Sequence, residues 1–121
     1  MLRNDFYTIV NTISGEGSMI FGIKLNHDHY IYRAHFPGNP ITPGVCLIQI
    51  ALELFEDSFD RKFRLIEAKK IKYLKVINPI ENPEIEYNIK YTYASDLIHA
   101  DITIVAGETL FTRITATYKG Q

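Results

Sequence analysis

Two long stretches in the second half of the chain alternate apolar and polar residues with a period of two. From Glu84 to Tyr93, Ile85, Tyr87, Ile89 and Tyr91 share one face, and Glu84, Glu86, Asn88 and Lys90 share the other. From Leu97 to Val105, Ile98, Ala100, Ile102 and Ile104 oppose His99, Asp101 and Thr103, and Gly107 turns the chain into a further strand from Thr109 to Tyr118. Side chains of a strand point to opposite faces in turn, so this pattern predicts strands with one covered face. The N-terminal part reads the same way. Phe6 to Ile13 predicts a strand, Gly15-Glu16-Gly17 a turn, and Met19 to Leu25 a second strand in which Phe21, Ile23 and Leu25 alternate with Ile20, Gly22 and Lys24. Asn26 to His29 reads as a polar loop and Tyr30 to Ala34 as a short extended segment. Strand texture resumes at Phe63, where Ile71 and Tyr73 alternate with Lys70 and Lys72, and it slips at Leu74 and Lys75 as a bulge would make it. Asn78 to Pro83 reads as a turn.

One stretch breaks the period. Thr42 is suited to cap a helix, Pro43 suits a first helical position, and the residues that follow predict a helix to about Phe55 or a little beyond. Val45, Cys46, Leu47, Ile48, Ile50, Ala51, Leu52 and Leu54 leave its first turns apolar nearly all round, which predicts burial on most sides. Gln49, Glu53 and Glu56 recur at helical spacing and share one face. For Glu53 and Glu56 the favoured reading is a solvated stripe; Gln49 lies deeper in the apolar section. One helix packed on one long antiparallel sheet is an α+β domain, here a single one spanning residues 1–121.

Composition narrows the class. With 46% apolar and 22% charged residues, the chain is of globular type. A net charge of −1 gives no global reason to bind nucleic acid or anionic membrane. The single cysteine, Cys46, excludes an intrachain disulfide and suits a small apolar role in the helix. No apolar run approaches spanning length and Met1 to Asp5 has no signal-like region, so a cytoplasmic location is expected.

The candidate chemistry gathers where the helix begins. Pro37, Pro40 and Pro43 stiffen the loop that carries His35 to the helix start. An imidazole titrates near neutrality and can both take and return a proton. First-turn amides have no intrahelical acceptor and sit at the positive end of the helix dipole. Pro43 donates nothing, so Gly44 and Val45 are the candidate donors, with Gly44 also allowing close approach or tight packing. His27, Asp28 and His29, even with His35, follow no recognised ligand spacing, and no metal is expected. There is no glycine-rich phosphate loop and no serine-centred nucleophile elbow.

The segment His35-Phe36-Pro37-Gly38, then Pro40-Ile41-Thr42-Pro43-Gly44-Val45, resembles the active-site loop and central helix of the β-hydroxyacyl thioester dehydratases of fatty-acid synthesis. Ile71 to Pro79 and Val105 to Thr117 extend the likeness weakly. The resemblance implies a hot-dog fold, a long helix wrapped by an antiparallel sheet. It implies dehydration of β-hydroxyacyl groups carried on acyl carrier protein or CoA, with no cofactor, and an enolate-like charge held by the Gly44 and Val45 amides. It also implies pairing through an edge strand into a homodimer or larger even assembly, with an apolar acyl tunnel at the interface. Those dehydratases carry a carboxylic acid where this chain has Gln49, whose amide cannot supply a proton. Three accounts follow: His35 makes both transfers while Gln49 orients the hydroxyl or a water; Glu53 substitutes as the acid; or the chain is one half of a mixed dimer or has lost dehydration. A thioesterase using Glu53 to activate water, and a non-catalytic partner subunit, are the alternatives. Lys69, Lys70, Lys72 and Lys75 read as a solvated edge strand, with carrier-protein docking as the second reading. Two further departures, no leader before the first strand and Ile80-Glu81 after Pro79, point away from housekeeping fatty-acid synthesis.

Overall fold

The computed structural model describes residues 1–34 and 38–121. In chain order the elements are β1 (Tyr7–Gly15), β2 (Ser18–Leu25), α1 (Tyr30–Ala34), α2 (Gly44–Phe59), β3 (Phe63–Tyr73), β4 (Glu84–Ala94), β5 (Leu97–Ala106) and β6 (Thr109–Gly120). The strands form one antiparallel sheet of six, in the order β1-β2-β4-β5-β6-β3. The alternating positions predict the register of its centre. Tyr87 pairs with Ile104 and Ile89 with Ile102 across β4 and β5, and Ile102 pairs in turn with Ile114 of β6. Those side chains are buried on the face that meets α2. This is the hot-dog architecture.

Helix α2 is held to the sheet by Cys46, Leu47, Ile50, Ala51, Leu54 and Phe55, which recur at three- and four-residue spacing and are all buried. Full burial of side chains the size of Leu54 and Phe55 is worth about 1.5–3 kcal/mol each. Phe55 packs on Tyr118 at 4.9 Å between ring centres, and Phe59 on Tyr93 at 5.0 Å. The Tyr87 hydroxyl donates to the Leu47 carbonyl at 2.8 Å, fixing the helix lengthwise on the sheet. Burial does not extend all round. Val45 is 73% exposed, and Ile48, Gln49 and Leu52 are half-buried. These four residues, at helical spacing, make a stripe on the open side of α2.

Three local expectations are corrected. Tyr30–Ala34 is a short helix, not an extended segment, because His29 organises its start. The Ile31 amide donates to His29 Nδ1 and the Tyr32 amide to the His29 carbonyl, each at 3.1 Å. Tyr32 then stacks on Phe6. The irregularity placed at Leu74 and Lys75 occurs earlier in β3, at Leu65/Glu67 and Ala68/Lys70; the Leu74 and Lys75 amides instead both donate to the Phe111 carbonyl. Finally, Pro43 is itself the cap residue of α2, with extended backbone and no side-chain cap, and the helix starts at Gly44. The Thr42 hydroxyl is engaged elsewhere, with the Tyr32 hydroxyl at 3.0 Å.

Candidate active site

The start of α2 is an anchored but open end. The Thr42 amide donates to the Ile77 carbonyl at 2.8 Å, tying the approach to the loop after β3. The Cys46 and Leu47 amides both donate to the Pro43 carbonyl, at 3.0 and 3.3 Å. The two residues before them, Gly44 and Val45, occupy the positions whose amides have no acceptor within the helix. Gly44 lies under Tyr73. A Cβ built there would stand 2.5 Å from the Tyr73 ring and hydroxyl, so close packing of helix on β3 requires the glycine. Burial pushes the Tyr73 hydroxyl up from its ordinary pKa, although the residue is 54% exposed overall. Val45, Tyr73, Leu74 and Val76 leave the surroundings of the helix start apolar and exposed.

His35, Phe36 and Pro37 lie outside the described residues. The structure places the chain on either side of them. Arg33 and Ala34 end α1, and Gly38 follows at φ 80, a left-handed conformation that glycine adopts without strain. The segment therefore runs from a helix seated on Phe6 to the anchored approach of α2.

Further along α2 the expectation of a solvated acidic stripe fails at Glu53, which is 3% exposed. Four donors converge on its carboxylate, two to each oxygen. The Arg3 amide and the Tyr7 hydroxyl donate to Oε1, at 2.8 and 3.1 Å. The Leu2 amide and the Gln49 side-chain amide donate to Oε2, at 2.9 and 2.8 Å. Burying a carboxylate is costly unless its lone pairs are matched, and here all are. Arg3 also pairs with Asp57 one turn further on. Burial, and then the neighbouring carboxylate, push the Tyr7 hydroxyl far above its ordinary value. Glu56, by contrast, is half-buried and accepts the Phe63 amide at 3.0 Å, so it caps the entry to β3.

Sequence reasoning therefore names Gly44, Val45, Gln49 and Glu53, and the structure links Gln49 to Glu53 directly. It misses Tyr7 and Tyr73. Their partners on α2 lie far away in sequence, and no local pattern could pair them. A cleft of about 390 Å³ opens beside Glu53, lined by Met1, Arg3, Glu56, Asp57 and Arg61 among others. Its charged lining is wrong for an acyl chain, and it lies on the opposite side of Glu53 in the helix from the Gly44 and Val45 amides. Among the described residues no group of three or more metal-ligating side chains converges.

Comparison with known proteins gives a consistent picture. Residues 11–107 match the family model described as ApeI-like, ApeI dehydratase. The 3-hydroxyacyl-[acyl-carrier-protein] dehydratase FabZ of Campylobacter jejuni is 30% identical over 71 residues, covering 51% of this chain and 49% of that protein. The matched stretch thus spans about half the length of that relative. Among solved structures, the dehydratase heterocomplex ApeI:P from Xenorhabdus doucetiae aligns at TM-score 0.67 and 12% identity, covering 92% of this chain and 96% of that one. A mutant of the phenylacetic acid degradation protein PaaI from Thermus thermophilus aligns at TM-score 0.59 and 10% identity, covering 93% and 91%. At such identities these structures speak for the fold alone.

Proposed function

Because the chain belongs to the ApeI-like family, we propose that it is a hot-dog dehydratase, one domain over residues 1–121, that removes water from β-hydroxyacyl thioesters carried on acyl carrier protein or CoA. The observation that carries this reading is the pair of helix-start amides without an intrahelical acceptor, at Gly44 and at Val45, the second of which shares the half-open face of α2 with Gln49. A thioester carbonyl seated on the Gly44 and Val45 amides is polarised by them. As His35 removes the α-proton, negative charge grows on that oxygen and the two N–H groups stabilise it. The Cα electron pair then forms the double bond and the Cβ–O bond breaks. The imidazolium returns its proton to the departing oxygen, which leaves as water. One base makes both transfers, so the balance closes without a second acid, and Gln49 has only to orient the hydroxyl. Nothing is oxidised or reduced, and no cofactor enters.

The open stripe Val45, Ile48, Gln49 and Leu52, together with exposed Tyr73, Leu74 and Val76, supports a second chain covering this face. A homodimer or larger even assembly, or a mixed assembly with a related chain, would close an apolar acyl tunnel there. The thioesterase reading needs Glu53 to activate water, and its oxygens already accept four donors.

The test is turnover of short and long β-hydroxyacyl thioesters to enoyl product. His35→Ala abolishes it, a loss of at least about 10²–10⁴-fold, and Gln49→Glu, whose new carboxyl stays protonated against the Glu53 carboxylate, keeps or raises it. Turnover that survives the loss of His35 rejects the mechanism. Free thiol released without enoyl product selects the thioesterase, and turnover only on mixing with a related chain selects the hetero-oligomer.

A further inference from the structure

We propose that Glu53 is a positioning residue that fixes the polarity of Gln49, making Gln49 a hydrogen-bond acceptor toward substrate and so selecting acyl groups that bear a β-hydroxyl. This deepens the dehydratase reading and rests on it. A glutamine side chain can present either its oxygen or its NH2, and the two orientations have nearly the same shape. Here the choice is made by a neighbour one turn along the helix. Glu53 Oε2 lies 2.8 Å from Gln49 Nε2, and a carboxylate accepts but does not donate. Turning the amide over would set two acceptor oxygens against each other beside a buried charge. Glu53 cannot swing away to relieve this, because Leu2, Arg3 and Tyr7 hold both of its oxygens.

The consequence is a fixed pattern on the open face of α2. Glu53 lies on the C-terminal side of Gln49, so the amide commits its NH2 that way and keeps its carbonyl oxygen for the half-open face. At the helix start the Gly44 and Val45 amides are donors. The pattern is therefore two donors at one end and one acceptor further along. A β-hydroxyacyl thioester carries the complement: a carbonyl oxygen that accepts and, two carbons away, a hydroxyl that donates. Gln49 Oε1 accepts a hydrogen bond from the hydroxyl, whose own lone pairs stay free to be protonated as it leaves. A β-keto or unsubstituted acyl group has no hydrogen to give and would leave that oxygen unmatched.

The experiment uses the full chain and two stable probes, pantetheine amides carrying a 3-hydroxybutyryl or a butyryl group, with affinities read by calorimetry. The intact protein binds the hydroxylated probe about tenfold more tightly, as one net hydrogen bond allows. Gln49→Met and Glu53→Gln each bring the ratio close to one while the butyryl probe keeps its affinity within about twofold. A merely structural role for Glu53 would weaken both probes alike and preserve the ratio, and that result overturns the proposal. So does an intact protein that shows no preference. Should Glu53→Gln fail to fold, NMR of the intact protein decides: one Gln49 side-chain NH proton shifted downfield and slow to exchange supports the lock, and a freely averaged amide overturns it. Binding preference and turnover are separate readouts, so a hydroxyl preference without enoyl product rejects the dehydratase reading and leaves the lock standing.

Discussion

The two halves of α2 treat their polar groups in opposite ways. At the start, the Gly44 and Val45 amides have no acceptor in the helix, and Val45 is 73% exposed. Two turns further on, Glu53 is 3% exposed and each of its oxygens accepts two donors. A donor without an acceptor in its helix can serve something outside it; a fully matched buried carboxylate is committed to the fold. The same helix thus carries the end proposed to bind substrate and an end that anchors, and Gln49 stands between them with its NH2 committed to the anchor.

The sharpest way to break this contrast is Glu53→Ala. It strands the buried Tyr7 hydroxyl and the half-buried Leu2 and Arg3 amides, and urea unfolding should show a loss of about 3 kcal/mol or more. A loss below about 1 kcal/mol would mean that this half does not anchor the chain.

High pH next probes the buried hydroxyls packed along the whole helix. Burial pushes the Tyr32 hydroxyl up from 10.0 to about 12, and Tyr7, Tyr87 and Tyr118 are also raised, burial being the first cause in each. The folded state then holds protons that the unfolded state releases, so stability is whole below the ordinary tyrosine value and falls as pH climbs through and above it. Melting temperature followed against pH should drop steadily from about pH 10 upward. A flat profile would mean that these hydroxyls are wet.

At the open end, Gly44→Ala drives a methyl into the Tyr73 ring. Because Tyr73 is 54% exposed the ring and the helix start share the shift, so stability falls by only about 1 kcal/mol. Turnover falls further, by about tenfold or more, because the displaced amides no longer meet the carbonyl. Adding Tyr73→Ala should restore both; turnover unchanged in Gly44→Ala would remove the amides from the mechanism.

The smallest effects come from two core tyrosines. Tyr87→Phe gives up its bond to the Leu47 carbonyl and costs about 1 kcal/mol. Tyr118→Phe removes a buried hydroxyl that has no partner among the described residues, and is neutral or stabilising by up to about 1 kcal/mol. Equal costs for the two would contradict this division.

How much of this was legible in the sequence follows from range. The faces of β4 and β5 could be read because alternation is local, and the start of α2 because Pro43-Gly44 is contiguous with the apolar run. Tyr30–Ala34 was misread because five residues carry too little periodicity, and its helix depends on the His29 ring closing the first turn. Thr42 has the chemistry of a cap, yet its hydroxyl goes to Tyr32. The burial of Glu53 was least legible of all. An acidic residue one turn past a glutamine reads as solvated face, and three of its four donors come from the distant stretch Leu2 to Tyr7.

Cys46 follows Val45 directly, is 6% exposed, and its thiol is pushed up by burial. Alkylation requires the thiolate and access to sulfur, both denied while the first turn is closed. As the chain's lone sulfhydryl, it offers a built-in clock: the rate at which a maleimide captures it counts how often the start of α2 springs open, and an acyl group seated there as proposed should slow the count.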